Sequence, residues 1–192
     1  MKTITLITLF VGALAFITNA YASVSANLGV NTEYFWRGMS QSNGEATVNG
    51  GFDYEGEGFY AGIWTSSTGA GDMGAETDFY VGTDINGFDV GYIKYEYTGD
   101  GPDFAEWYVG YSIQGFDLFY AITDGNDEET SFYSVSYGLP SIIEGVDSSL
   151  TYGDTEDGVD YLQLDVTVSD VTLSVIDTDA GTETALSYGW SL

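Results

Sequence analysis

Apolar and polar residues alternate one by one along most of the chain after residue 22. In the final segment, for example, Leu186, Tyr188 and Trp190 alternate with small or polar residues. A period of two is that of a β-strand with one apolar and one polar face, and no helical spacing is sustained in this part of the chain. The sequence therefore predicts an all-β fold. Its predicted strands number about twelve and span 24–36, 45–54, 59–66, 75–84, 88–98, 104–113, 116–123, 131–139, 145–153, 159–168, 171–177 and 184–192.

The connections between these strands alternate between short and long. The short ones are 55–58, 85–87, 114–115 and 169–170, together with a somewhat longer one at 139–144. The looser, Gly- and acid-rich ones are 38–44, 67–74, 99–103, 124–129, 154–158 and 178–183. Strands of about ten residues suffice to cross an outer membrane at a tilt. We therefore predict a transmembrane, antiparallel, up-and-down β-barrel with both ends on the short-turn side.

A soluble alternative has the same alternation. A secreted β-sandwich or soluble barrel also alternates, but it directs its apolar face into a core. Two features favour the membrane barrel: the polar faces are small and Gly-rich, as in the wall of a lumen, and Tyr and Trp lie near strand ends, as in an interfacial girdle.

The two ends of the chain predict export and assembly. Lys2, an apolar run over 4–17 and the small-residue site at 20–22 are typical of a secretory signal peptide. We expect cleavage after residue 22, which leaves 23–192 as one barrel domain in the outer membrane of a Gram-negative bacterium. The alternating C-terminal strand is of the kind that the barrel assembly machinery reads, and its predicted signal residues are Leu186, Tyr188, Trp190 and Leu192.

Charge and residue usage restrict the function. The chain has three cationic and thirty acidic residues, and removal of Lys2 leaves a formal charge of −28. Such a charge argues against nucleic acid as a partner. The chain has no His and no Cys, which removes imidazole metal ligands and the common nucleophilic sites, so we expect no enzyme and no cofactor. The acid-rich loops are open to two interpretations, a weak Ca²⁺ or Mg²⁺ site and a solvated acidic surface.

The first half of the chain resembles a family. An aromatic run followed by Arg37-Gly38, the Gly-Gly-Phe-Asp-Tyr segment at 50–54 and the Gly-Phe-Tyr-Ala-Gly-Ile-Trp segment at 58–64 resemble the TorF or Gcw_chp family of outer-membrane porins, as do Asp-Val-Gly-Tyr-Ile at 89–93 and Glu-Trp-Tyr-Val-Gly at 106–110. The resemblance is densest over 23–115. It departs from the family at Tyr-Thr-Gly over 97–99, where Tyr-Pro-Gly is expected, and at the terminal Leu192, where Phe is expected. It implies an outer-membrane location and a pore, and no catalytic residues.

Charged residues on the predicted inward faces form the candidate site. Arg37 shares such a face with Glu33, and we expect it to pair with Glu33 or with Asp53 on the neighbouring strand. The pairing has two interpretations: an electrostatic constriction that shapes permeation, and a structural ion pair that plugs a narrow barrel. The predicted lumen residues are Glu33, Arg37, Asp53, Glu76, Asp78, Lys94, Glu96, Glu106 and Asp165.

The sequence thus predicts a porin for passive diffusion of small cationic or neutral solutes, with a preference for cations. The alternatives are an outer-membrane barrel with a structural or adhesive role and no transport, and a soluble secreted β-sandwich that binds a ligand.

Overall fold

A computed structural model describes residues 22–69, 73–124, 130–156 and 158–191. Residues 1–21 of the predicted signal peptide and Leu192 lie outside these ranges. In chain order, the strands are β1 (Ser23–Asn31), β2 (Phe35–Trp36), β3 (Met39–Ser40), β4 (Thr47–Gly56), β5 (Phe59–Ser67), β6 (Ala75–Ile85), β7 (Phe88–Tyr97), β8 (Phe104–Ile113), β9 (Phe116–Asp124), β10 (Ser131–Leu139), β11 (Val146–Thr155), β12 (Asp160–Val168), β13 (Val171–Thr178) and β14 (Gly181–Ser191).

Twelve of these strands form a closed antiparallel barrel. Its order is β1-β14-β13-β12-β11-β10-β9-β8-β7-β6-β5-β4, and β4 pairs with β1 to complete the ring. Ser23 is opposite Glu55 beside one short turn, and Ser191 pairs with Asn27, so both described ends lie at the short-turn end. The predicted twelve-stranded antiparallel barrel is confirmed. No helix in the described ranges is long and apolar enough to span a membrane.

The short turns follow from their residues. Asn86-Gly87 and Gln114-Gly115 have positive φ angles of 57° and 87°, and of 53° and 86°. Such two-residue turns match the twist of the strands that they join. The last connection was predicted to be long, over 178–183, and this was wrong: Thr178 pairs with Gly181, so only two residues intervene. The polar residues 182–184 resemble a loop in the sequence but belong to β14.

The two faces of the barrel wall differ in polarity. Outward side chains are apolar and exposed, as at Val24 (72%), Phe52 (62%) and Trp107 (57%). Inward side chains include carboxylates that are almost fully buried, as at Glu76 (1%) and Glu106 (2%). This is the reverse of a water-soluble protein, so the soluble sandwich with an apolar core does not fit the described residues.

The first strand is shorter than predicted. We expected it to reach residue 36, but β1 ends at Asn31 and the chain then turns into the barrel. Tyr34 and Phe35 are both buried, at 4% and 3% exposure, which breaks the one-in, one-out pattern of a wall strand. Residues 32–46 are called the plug below.

Candidate functional site

The plug is a short hairpin inside the lumen. Its strands β2 and β3 are joined by Arg37 and Gly38, whose φ angles are 49° and 80°. Two successive positive φ angles define a tight hairpin turn that needs glycine or a tolerant residue. A Cβ atom on Gly38 would lie 2.8 Å from Tyr161 Cβ, so the turn packs directly against the β12 wall. Arg37 is therefore at the tip of the hairpin rather than on a wall strand.

The tip is bound to the far wall by an ion pair. Arg37 Nη1 and Nη2 each donate to one carboxylate oxygen of Glu106, at 2.7 Å. The guanidinium carbon also lies 4.0 Å from the ring centroid of Phe132 and 4.3 Å from that of Trp36. Glu106 is on β8 and Phe132 on β10, which flank the strand opposite β1 in the ring. The plug therefore crosses the lumen, and the predicted partners Glu33 and Asp53 were wrong.

One side of the hairpin makes polar and aromatic contacts. The Tyr34 hydroxyl donates to Glu76 Oε1 at 2.9 Å, and the Tyr34 ring meets Trp64 edge-on at 5.7 Å between centroids. Tyr34 lies outside the strands, and burial raises the pKa of its hydroxyl well above the usual value, which keeps it a donor. Trp36 meets Tyr95 in the same edge-on manner.

The other side of the hairpin is apolar. Phe35 joins an interior cluster with Phe132, Tyr161, Ile176 and Ala185 on four wall strands. With Phe35 at 3% and Ile176 at 2% exposure, this contact excludes water. The plug is thus held by burial on one side and by hydrogen bonds on the other.

Glu33 stabilises the base of the plug. Its Oε1 accepts hydrogen bonds from Ser40 Oγ at 2.5 Å and from the Gly44 amide at 3.0 Å. Tyr34 N donates to Ser42 Oγ at 3.0 Å in the same turn. Glu33 therefore forms hydrogen bonds within the plug and does not pair with Arg37.

Three buried acids lie near the tip. Glu76 and Asp78 are 1% and 2% exposed on β6, and Glu106 is 2% exposed on β8. No described donor reaches Glu76 Oε2 or Asp78 Oδ1. Because Lys94 faces outwards, Arg37 is the one cation inside the described part of the barrel, and it leaves this end of the lumen with excess acid.

The half of the lumen near the short turns carries tyrosine–carboxylate pairs. Asp53 accepts hydrogen bonds from Tyr80 and, at 3.1 Å, from Asn27 Nδ2. Tyr60 donates to Asp89 Oδ1 at 2.5 Å, and its hydroxyl lies 2.5 Å from that of Tyr108.

Asp165 also lies on the lumen side in this half. Ser174 Oγ donates to it at 2.5 Å and Gln163 Nε2 at 3.0 Å. Asp53 and Asp165 are inward as predicted.

Sequence reasoning missed Asp89 because it assigned the opposite face of β7 to the lumen. The sequence signal was weak: Asp89, the second residue of β7, shares a face with Gly91, and Gly-rich polar faces were expected in the lumen. The other buried residues of this face, Ile93 and Tyr95, are apolar.

Lys94 and Glu96 were predicted to line the lumen, and this was wrong. They pair with each other on the outer face, with side chains 48% and 43% exposed. Ile93 and Tyr95, at 3% and 5%, occupy the inward positions instead. The prediction assumed that charged residues mark the inward face, whereas this pair lies near the long-loop end of β7.

Four inward tyrosines lie flat against glycines that are their direct cross-strand partners. The pairs are Tyr60 with Gly82, Tyr80 with Gly62, Tyr108 with Gly91 and Tyr161 with Gly153. A Cβ atom on these glycines would lie only 2.2 to 2.4 Å from the nearest ring or hydroxyl atom of the tyrosine. Glycine on the facing strand thus makes room for each ring along the wall, which accounts for the Gly-rich polar faces of the sequence.

The acidic loops have no demonstrated ligand. In the described part of the chain, no group of three or more His, Cys, Asp or Glu residues is arranged to hold a metal ion. Residues 125–129 and 157 lie outside that part.

Fold and interior define the class of the protein: a closed twelve-stranded β-barrel with an apolar outside, an acidic inside and an internal plug. The chain belongs to the Gcw_chp family, described as bacterial proteins of unknown function, whose model matches residues 18–176. No curated protein matches it.

Proposed function

We propose that this protein is an outer-membrane β-barrel of a Gram-negative bacterium that admits small cationic or neutral solutes by passive diffusion, with the plug as its constriction. Its insertion would need the barrel assembly machinery, and its direct partner would be membrane lipid.

The observation that carries the membrane assignment is the polarity of the wall. Leu118, Leu162 and Leu173, on three separate strands, are all at least 40% exposed, while acids and hydroxyl groups face inwards. Monomeric soluble proteins rarely expose apolar surface of this extent, whereas the outer band of a membrane barrel consists of it. The outward Lys94–Glu96 pair is near the long-loop end, where a charge costs only about 0–1 kcal/mol in such barrels.

The preference for cations is supported by the charge of the interior. Five wall carboxylates at Asp53, Glu76, Asp78, Asp89 and Glu106 face the lumen together with Asp165, and Arg37 neutralises one of them. Rings of Asp and Glu stabilise a cation that has lost part of its water. Arg37 sets the remaining negative charge and the width at the tip.

A second candidate is a barrel with a structural or adhesive role and no transport. The fit of the plug favours it: Phe35 is 3% exposed in its cluster, and the Arg37–Glu106 pair joins the tip of the plug to the far wall. A lumen held shut in this way conducts only if the plug moves or if water passes beside it.

Fractionation and conductance test both candidates. We expect the mature chain in the outer-membrane fraction, and a chain found soluble in the periplasm would reject both. In planar bilayers, we expect small cation-selective currents that increase when residues 33–45 are replaced by a short Gly/Ser linker. Absence of current from both proteins, with insertion verified by protease protection, would favour the structural role over transport.

A further inference from the structure

The junction that closes the barrel is short. β1 and β14 share five registered pairs, between Asn27–Asn31 and Ser187–Ser191, whereas β1 and β4 share nine. At the short-turn end, Ser191 is opposite Asn27, so residues 23–26 of β1 have no described partner on β14. At the long-loop end, the chain turns into the lumen after Asn31, while β14 continues to Gly181. The first five residues of β14, 181–185, therefore have no described strand beside them on the β1 side. The wall is notched where the plug enters.

A groove opens at this junction. Its volume is about 330 Å³, and its lining is almost wholly apolar. Val30, Val171, Leu186 and Tyr188 contribute outward side chains from three strands, and Ala46 lines it from the plug. The volume is within the range of small-molecule sites.

Thr32 completes the backbone hydrogen bonding at the point where the chain leaves the wall after β1. Thr32 N donates to Leu186 O at 2.8 Å, and Leu186 N donates to Thr32 Oγ1 at 2.9 Å. The Thr32 hydroxyl thus takes the place of the next backbone carbonyl in the ladder. Because both groups are paired at this point and the lining is apolar, the groove offers water few partners here and suits hydrocarbon.

The inner side of the same wall is apolar as well. Ala185, on the stretch of β14 without a β1 neighbour, and Ile176 beside it pack against Phe35 of the plug. Inward apolar side chains also lie on other strands, as at Ile93 and Ala121. Beside the notch, apolar side chains thus line both sides of the wall.

We propose that the β1–β14 groove binds a single acyl chain of a membrane lipid. The proposal rests on membrane insertion, as argued above, because insertion places acyl chains against the groove. A chain seated in the groove contacts side chains of three strands, so it exchanges more slowly than lipid elsewhere on the barrel.

Photolabelling tests the site. The refolded protein is inserted into phosphatidylethanolamine/phosphatidylglycerol vesicles that contain a small fraction of phosphatidylcholine with a diazirine on one acyl chain. After irradiation, we expect label to be concentrated on peptides containing Val30 and Leu186, above its level at Leu118 and Ile122 on β9, across the barrel. Flotation with the vesicles is scored first, so a failure of membrane insertion is seen separately from a failure of the site.

Two matched variants complete the test. Ala46→Phe fills the groove and should remove most of the label at the β1–β14 junction while leaving that on β9 unchanged. Ala61→Phe makes the same change on the outer face of β5, away from the groove. It should alter neither the label at the β1–β14 junction nor the label on β9. Three outcomes would each overturn the proposal. They are label spread evenly around the outer face of the barrel, label at the junction that Ala46→Phe does not reduce, and cross-links between two protein chains at this junction.

Discussion

Arg37 and Glu106, 69 residues apart in the chain, meet inside the barrel through two parallel hydrogen bonds of 2.7 Å. The planar guanidinium matches both carboxylate oxygens at once, which a lysine ammonium cannot do. The pair explains why a chain with so few cations keeps an arginine among aromatics and glycines: Trp36 and Phe132 lie against the guanidinium, and Gly38 allows the turn that carries it.

The first prediction concerns stability. Arg37→Ala should destabilise the barrel by about 3–5 kcal/mol, because it leaves Glu106, whose side chain is 3% exposed, buried without a counter-charge. The measurement is the unfolding midpoint in urea, in lipid vesicles.

The double variant Arg37→Ala/Glu106→Gln is the control for this cost. Removing the charge of Glu106 should restore much of the lost stability, since the penalty arises from an uncompensated carboxylate. If the two substitutions instead add, Glu106 is not the partner that fixes the plug.

The second prediction concerns ion selectivity. Arg37→Ala should raise the preference for cations over anions, because among the described residues Arg37 carries the one positive charge that faces the interior acids. Lys94→Ala makes the same change of charge on the outer face and should leave selectivity as it is. Reversal potentials across a salt gradient distinguish the two variants; an equal shift in both would show that net charge, rather than position in the lumen, sets selectivity.

The sequence predicts the barrel well because the alternation of apolar and polar residues depends only on the surroundings of the two faces of each strand. It fails at the plug for a physical reason: residues 32–36 continue the alternation of β1, and nothing local indicates that the chain leaves the wall at Thr32. The partner of Arg37 could not be predicted either, since Glu106 is distant in the sequence and meets Arg37 only in the folded barrel.

The face of β7 was assigned wrongly because Lys94 and Glu96 look like lumen residues in the sequence. Polarity alone cannot separate a lumen from a membrane–water boundary, since both accept charge. The positions of Ile93 and Tyr95 opposite the plug decide the matter, and they follow from tertiary packing.

The third prediction concerns the turn of the plug. Gly38 and Gly44 have φ angles of 80° and 81°, so alanine is strained equally at both. Gly38→Ala also places a Cβ 2.8 Å from Tyr161 Cβ, whereas no described atom lies within 4 Å of one at Gly44. We expect Gly38→Ala to be the more destabilising by about 1–3 kcal/mol, the usual cost of overpacking.

Urea unfolding of the two variants gives their free energies of unfolding. The backbone strain is common to both variants, so it cancels in the difference between these free energies. Similar losses of stability would mean that the tip of the plug does not pack on β12.

The last prediction concerns the tyrosines that lie on glycines. A Cβ at Gly62 would lie 2.2 Å from the hydroxyl oxygen of Tyr80. Gly62→Ala should therefore displace the ring and break the hydrogen bond from Tyr80 to Asp53, at a cost of about 1–3 kcal/mol. Gly138→Ala is the matched control on β10, because no described atom lies within 4 Å of its Cβ and its φ is not positive. Replacing a strand glycine at such an open site should be neutral or stabilising by about 0.4–1 kcal/mol, through the lower entropy of the unfolded chain. Unfolding midpoints that fall for Gly62→Ala and hold or rise for Gly138→Ala would support a wall built from interlocking tyrosines and glycines; equal midpoints would mean that the rings yield without cost and that these glycines serve only the strands in which they lie.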